Sequence, residues 1–206
     1  MNEGDHEGAI TIAPGGPDDA APSALLHAEQ IQGGFLAALG PGFLECLYRR
    51  VAAWPGAFLI AARAEPGAVV GFVAGTSSTR GLYGQFIVHD ALRAALAARR
   101  QLLARIPEAL ETWRYSMVGP RQHAPLPAAE LLSMAVAPGF RGRGVGGRLV
   151  AACVAEFKSR GVTAAKVTVG SANRTAITLY EAAGFRRAAG VEVHRGQQSQ
   201  VLVWRA

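Results

Sequence analysis

The period of the apolar positions changes several times along the chain, and each change marks an element boundary. Residues 9–13, AITIA, alternate briefly and predict a first strand. PGGPDDAAPS follows with turn chemistry, and Asp18 and Asp19 favour a helix start, because carboxylates are stabilised at helix N-termini. From Ala24 to Trp54 the spacing is helical, in two stretches broken at Gly40-Pro41-Gly42. AFLIAARA (57–64) and VVGFVAGTS (69–77) are strand-like, and Glu65-Pro66-Gly67 between them is a hairpin turn.

Residues 88–115 differ from the rest. Leu92, Leu96, Leu103, Ile106 and Leu110 follow helical spacing, interleaved with Arg93, Arg99, Arg100 and Arg105. Pro107 should break or restart this helix. The apolar stripe is expected to pack on the core or on another subunit, with the arginines on a solvated face. GPRQHAPLPA (119–128) is a Pro-rich connection. ELLSMAVAP (130–138) predicts a strand, 146–160 an amphipathic helix stopped by Gly161, AAKVTVG (164–170) a strand, and Arg174–Ala183 a helix closed by Gly184. Two last strand-like pieces cover about 185–195 and 199–205. The order is β, helices, ββ, insert, β, α, β, α, ββ, without an internal repeat. It predicts an α/β (α+β) sheet with helices packed on it. One domain over 1–206, with a helical insert at about 80–128, is the expected organisation.

Composition narrows the class. Half of the 206 residues are hydrophobic and 17% are charged, enough apolar surface for a core. There is no apolar run long enough for a membrane helix. The start, MNEGDHEG, is acidic and lacks the apolar segment of a secretory signal. Cys46 and Cys153 lie far apart, and Cys153 falls in helical register with Leu149 and Phe157, so a buried free thiol in a reducing cytoplasm is expected. His6, His27, His89 and His194 show no ligand spacing, and no metal site is read. Charge is uneven: residues 1–130 carry 10 Lys/Arg and 12 Asp/Glu, residues 131–206 carry 11 and 3. A basic C-terminal half points to an anionic partner.

The densest chemistry lies at 136–150, VAPGFRGRGVGGRLV, between a strand and a helix. Glycine lets backbone N–H groups approach an anion, and the first N–H groups of a helix have no intrahelical acceptor. A phosphate-binding P-loop would need Lys-Ser/Thr after Gly147, where Arg148 and Leu149 stand. Gly142, Gly144 and Gly147 match the dinucleotide-binding glycine spacing, but the next strand ends in Val169-Gly170-Ser171-Ala172-Asn173 with no acid. The third pattern is Arg/Gln-x-x-Gly-x-Gly/Ala after a strand ending in a Val-x-Pro bend, and Arg141, Gly144 and Gly146 match it.

This pattern resembles the acyl-CoA signature of the GNAT superfamily of N-acetyltransferases. Asn173 after the next strand and ITLYEAAGF (177–185) resemble further family segments, as does AITIAPGGPDDA near the start. The resemblance is close over 130–206 and loose over 9–77; residues 80–128 match nothing generic. It implies a mixed central sheet, splayed between the fourth and fifth strands and flanked by helices. Acetyl-CoA would be the co-substrate. Its pantetheine arm would lie along the backbone of Met134, Ala135 and Val136. Its pyrophosphate would sit on the N–H groups of Arg141, Gly142, Arg143, Gly144, Val145, Gly146 and Gly147.

The same resemblance makes Tyr180 the general acid for the departing thiolate and a cofactor contact, against the alternative of an ordinary core tyrosine. Asn173 would contact the pantetheine, and is also a favoured helix N-cap. Glu130 would accept the amine proton, directly or through water, or is a solvated strand-end charge. His123, in the Pro-rich loop, is the weaker base candidate. The activity implied is acetyl transfer to a primary amine, small molecule or peptide, by direct attack. The acceptor's identity is unread, no membrane role is indicated, and a homodimer is left open. Two other classes stay in view. One is a non-catalytic acyl-CoA sensor. The other is a basic nucleic-acid-binding protein, or one acetylating an RNA-linked aminoacyl group, although few aromatics flank the basic cluster.

Overall fold

A computed structural model describes residues 9–31, 35–99, 126–194 and 197–206 of the chain. Its sheet is built from the alternating runs. β1 (Thr11–Pro14) pairs with β2 (Ala57–Ala64), which turns at Glu65-Pro66-Gly67 into β3 (Ala68–Thr76). β4 (Ala129–Val136) adds to β3, followed in space by β5 (Ala164–Gly170), β7 (Gln197–Arg205) and β6 (Arg186–His194). The order is β1-β2-β3-β4-β5-β7-β6, and every neighbouring pair is antiparallel except β4 and β5. This is the mixed sheet flanked by helices that the sequence predicts.

Helices cover both faces. α1 (Ala20–Gln30), the short α2 (Phe35–Ala38) and α3 (Pro41–Ala53) lie on one side, where Ala24, Leu44, Tyr48 and Val51 pack on Leu59, Phe72 and Ala74. α5 (Val145–Ser159) and α6 (Arg174–Ala182) lie on the other, where Leu149, Cys153, Phe157, Ile177 and Tyr180 meet Phe58, Ile60, Val73, Val167 and Leu202. β2 is buried along nearly all its length, which is why it reads as a continuous apolar run rather than an alternating one. Pro41 starts α3 where its missing N–H costs nothing, after Gly40 at φ +82°. α1 begins at Ala20, ahead of the predicted Ala24. Asp19 receives the Gly16 N–H at 2.7 Å and Arg63 at 2.6 Å, so the acidic turn runs straight into the helix. β4 stops at Val136 rather than 138, where Pro138 opens a short 3-10 turn.

The segment read as an insert from about 80 opens as α4 (Thr79–Ala97), and helix begins nine residues before the leucine-arginine spacing at 88. Ser78 caps it, accepting the Gly81 N–H at 3.1 Å. Its inner face is not the leucine stripe. Leu82, Phe86, Ala94 and Ala98 are buried, and Asp90 between them pairs with Arg50 of α3 at 2.6 Å. Leu92 and Leu96 stand exposed, at 77% and 60%. The buried positions recur every four residues, and Leu92 and Leu96 stand on the opposite face. Arg93 and Arg99 are exposed as expected; Arg100, Arg105, Pro107 and His123 lie outside the described residues.

One irregularity positions everything that follows. Along β3 and β4, Gly75 pairs with Leu131 and the next β3 residue, Ala74, pairs with Ser133. Leu132 is therefore an extra residue, a β-bulge, which bends its strand and switches the faces of the residues beyond it. Ala129 and Leu131 face the α5–α6 side; past the bulge it is Met134 and Val136 that do so. Leu132, Ala135 and Ala137 pack toward α1 and α3. The parallel β4–β5 ladder also ends here. Its pairs are Ala129–Ala165, Glu130–Lys166 and Leu131–Val167, and 132–136 and 168–170 run on unpaired to each other. The sheet is thus splayed between its fourth and fifth strands.

The Phe157 ring, fully buried, sits edge-on to Phe58 with centroids 5.2 Å apart and ties α5 to the sheet. Phe157→Ala should lower stability by about 3–5 kcal/mol through lost burial and a cavity. Leu92→Ala should change it by less than about 0.5 kcal/mol. Urea denaturation of both variants checks the pair, and a large loss at Leu92 would contradict the face assignment of α4.

Candidate functional site

Beyond the splay the chain makes the glycine-arginine turn. Arg141 N–H closes the 3-10 turn onto the Pro138 carbonyl at 3.2 Å. Gly142 and Gly144 both take φ of +74°, in the left-handed region that L side chains rarely adopt. Gly144 is the N-cap of α5 and accepts the first intrahelical bond, from Arg148 N–H at 3.1 Å. The N–H groups of Val145, Gly146 and Gly147 precede that bond and have no acceptor within the helix. A Cβ placed on Gly142 or Gly144 would meet nothing within 4 Å, so the space over the turn is open. At Gly146 it would come within 3.3 Å of Leu179 Cδ2, and glycine there lets α6 approach the first turn of α5.

The arginine side chains are exposed but held by contacts with the protein. Arg141 donates to the Val136 carbonyl at 3.1 Å and to Gln30 Oε1, at the end of α1, at 2.6 Å. Arg148 donates to the Ile10 carbonyl at 2.9 Å, and the Arg143 guanidinium lies 5.5 Å from the Phe140 ring centroid. What the turn offers outward is therefore a set of main-chain amides at the positive end of a helix dipole, with cationic groups around them.

Asn173 and Tyr180 lie on the same side of the sheet as this turn. Asn173 Oδ1 accepts the Ala176 N–H at 3.1 Å, so it caps α6 where β5 ends. Tyr180 is buried against the α5 core, its ring 5.7 Å from Phe185. Burial raises its phenol well above the ordinary value, and the neighbouring Cys153 thiol adds to the rise. Cys153 is itself fully buried, and burial likewise drives its thiol up, which makes it a poor nucleophile. Met134 and Val136 face the α5–α6 side from the splayed part of β4, with Ala135 between them facing α1 and α3.

Glu130 stands apart from that group. It precedes the bulge, and its carboxylate accepts from Thr79 Oγ1 of α4 at 2.9 Å and pairs with Lys166 of β5 at 3.2 Å. Tyr83 of α4 is half-buried nearby, and burial together with the Glu130 charge pushes its phenol up to about 12. The two carboxylate contacts join α4, β4 and β5 at the closed end of the splay.

The sequence reading missed a chain of three polar groups. His27 Nδ1 of α1 lies 2.5 Å from the Tyr48 hydroxyl of α3, which lies 2.7 Å from Ser133 Oγ of β4, next to the bulge. His27 and Tyr48 are buried and Ser133 is half-buried. Burial alone lowers the His27 pKa to about 4, and it raises the Tyr48 phenol, an effect the Ser133 hydrogen bond partly offsets. A signal was present: His27 sits in line with Ala20 and Ala24, Tyr48 with Leu44 and Val51, and Ser133 is the lone polar residue in LLSMAV. A polar group inside a buried stripe is costly unless it is hydrogen-bonded.

The fold thus sets an open turn lined by main-chain amides at the foot of a splayed mixed sheet. The model of the acetyltransferase (GNAT) family matches residues 28–185, and the chain belongs to that family of acyltransferase enzymes, which use acyl-CoA. Solved structures share the fold. An acetyltransferase of the GNAT family from Streptococcus pneumoniae has 15% identity and a TM-score of 0.60 over 96% of this chain and 100% of that one. Ard1 from Thermoplasma volcanium has 18% identity and a TM-score of 0.59 over 96% and 98%. A NatC complex bound to Gag peptide and CoA has 11% identity and a TM-score of 0.56 over 96% and 98%. A search of the curated proteins finds no match. Among the described residues no helix is long and apolar enough to cross a membrane, and no cluster of three or more His, Cys, Asp or Glu could hold a metal ion.

Two outcomes test this geometry. Gly144→Ala should cost about 1–2 kcal/mol, the price of a left-handed alanine, whereas Gly139→Ala, with open space and ordinary φ, should cost almost nothing. The buried His27 makes stability fall in acid. Above pH 6.5 both states are neutral there. As the pH drops toward 4, the unfolded chain binds a proton that the folded chain refuses. The loss should approach about 3 kcal/mol, and His27→Gln should remove most of it. Urea midpoints at pH 7 and pH 4.5 compare the two proteins; equal acid loss in both would contradict the burial of a neutral His27.

Proposed function

We propose that the chain transfers an acetyl group from acetyl-CoA to a primary amine by direct attack, without an acyl-enzyme. The observation that carries this reading is the open left-handed turn at Gly142 and Gly144, with the amides of Val145, Gly146 and Gly147 ahead of the first helical bond. These amides, with those of residues 142–144, would hold the pyrophosphate; the Arg141 amide, expected to join them, is instead given to the Pro138 carbonyl. The free backbone edge of β4 at Met134, Ala135 and Val136 would hold the pantetheine arm in the way a further strand pairs. Asn173 can keep its capping bond and still offer its amide group to the arm.

On the chemistry, Tyr180 would donate its proton to the departing thiolate, and Glu130 would accept the amine's proton, directly or through water. Charge separates the two substrates. The basic turn attracts the phosphates, and the Glu130 carboxylate gives the other side of β4 a negative group for a cationic amine. Neither thiol competes as a nucleophile. Cys153 is buried, and burial also raises the Cys46 thiol. Two buried free thiols suit a reducing cytoplasm. One catalytic domain over the chain, with α4 beside the acceptor side, completes the reading.

Acetyl-CoA should raise the melting temperature of the wild-type protein, and Gly144→Val should remove that shift while keeping the circular dichroism spectrum. Tyr180→Phe should lower kcat by roughly 10²-fold or more with acetyl-CoA affinity little changed. Mass spectrometry of an amine panel incubated with acetyl-CoA reads turnover. Tight binding with no acetylated product would favour an acyl-CoA sensor, and an undiminished shift in Gly144→Val would defeat the amide cradle.

A further inference from the structure

We propose that the Ser133 hydroxyl receives an N–H of the incoming amine, its lone pairs turned outward by a one-way hydrogen-bond chain through Tyr48 to His27. This rests on the acetyl-transfer reading and adds a positioning residue to its acceptor side.

The chain links three elements and ends at the place where the sheet opens. His27 and Tyr48 are buried in an apolar cluster with Ala24, Leu44, Val51 and Phe72. Ser133 is half-buried, on the strand just past the last β4–β5 pair and beside the extra residue Leu132. It lies on the face of β4 that looks toward α1 and α3, opposite Met134 and Val136. An amine reaching the splay from that face meets Ser133. Apolar residues would pack this interior at lower cost, since each buried hydroxyl or ring nitrogen must be matched by a partner. The chain therefore serves to set one orientation.

That orientation follows from counting protons. A neutral imidazole carries one N–H, and the proposal assigns it to Nε2, which leaves Nδ1 an acceptor. Tyr48 then donates its single proton to Nδ1. With that proton used, the Tyr48 oxygen can only accept, so Ser133 donates its single proton to Tyr48. The Ser133 oxygen is left with lone pairs and no proton to offer on its open side. A primary amine matches this group: one N–H donates to Ser133 while the nitrogen lone pair stays free to attack. No covalent step passes through Ser133, and the amine proton still leaves to Glu130 or water. The arrangement selects acceptors that carry an N–H at the attacking nitrogen.

The test combines kinetics with a tautomer measurement. Free-thiol release is followed with acetyl-CoA and four probes: butylamine, lysine methyl ester, spermidine and glucosamine. Ser133→Ala should lower kcat/KM for the accepted amine by about tenfold, the worth of one hydrogen bond, with the KM for acetyl-CoA within about twofold. Ser133→Thr should keep most activity. Tyr48→Phe should show a similar loss, and the double variant should be no worse than either single one. Nitrogen-15 NMR of the free wild-type protein should show His27 Nδ1 unprotonated and Nε2 protonated, with the Nδ1 signal moving in Tyr48→Phe. A protonated Nδ1, or unchanged kcat/KM in Ser133→Ala with an active wild type, overturns this inference and leaves the acetyl-transfer reading standing. A wild type that binds acetyl-CoA and acetylates none of the probes overturns both.

Discussion

One extra residue in β4 governs the architecture. Leu132 has no partner on β3, and past it β4 stays paired with β3 but no longer with β5. Backbone groups of β4 beyond Leu131 lose their β5 partners, and an unpaired strand edge is a strong hydrogen-bonding surface. Inside a sheet this would be a defect. Here it leaves main-chain donors and acceptors free at the carboxyl end of a parallel pair, next to the N-terminus of α5. Even the Val136 carbonyl shows the demand for partners, since it takes the Arg141 guanidinium at 3.1 Å.

The bulge also sorts side chains. Without it, Met134 and Val136 would point at α1 and α3, and Ser133 at α5. With it, Met134 and Val136 face α5 and α6, and the Ser133 hydroxyl meets Tyr48 on the other side. The anchors at either end reinforce the separation. Glu130, Thr79 and Lys166 tie the closed end together, and Arg141 with Gln30 ties the signature turn to α1.

Most of the fold was legible because local signals and packing agree. The runs 57–64 and 164–170 match β2 and β5 at both ends, and Gly161 and Gly184, at φ +70° and +93°, stop their helices as glycine after a helix should. The signature turn was legible for the same reason: left-handed glycines leave a local mark. Leucine spacing alone does not mark the face of α4 that meets α3: Leu82, Phe86, Ala94 and Ala98 are buried at four-residue steps, while Leu92 and Leu96 do not pack on the core of this chain. The Ser133–Tyr48–His27 chain could not be assembled from sequence. Its members lie on separate helices and a strand, each unremarkable in its own stripe, and only the fold joins them. The bulge left no composition signal, because Leu132 is as apolar as its neighbours.

The burial of Tyr180 bears on whether it can act as an acid. Burial and the Cys153 thiol raise its phenol, so the proton is held more tightly than in water. An ordinary phenol near 10 against an ordinary thiol near 8.5 already makes transfer to a thiolate uphill by about 2 kcal/mol. Taken alone, the added rise makes that transfer still more uphill. The penalty, however, falls on charge, not on the tyrosine as such: a thiolate leaving in the same dry surroundings is desolvated too, and its own proton affinity rises with the phenol's. Only the difference between them enters the barrier, and shared burial leaves that difference near its value in water. On the proposed reading, burial would also leave a departing thiolate little water from which to take a proton, which would favour a protein hydroxyl as the donor.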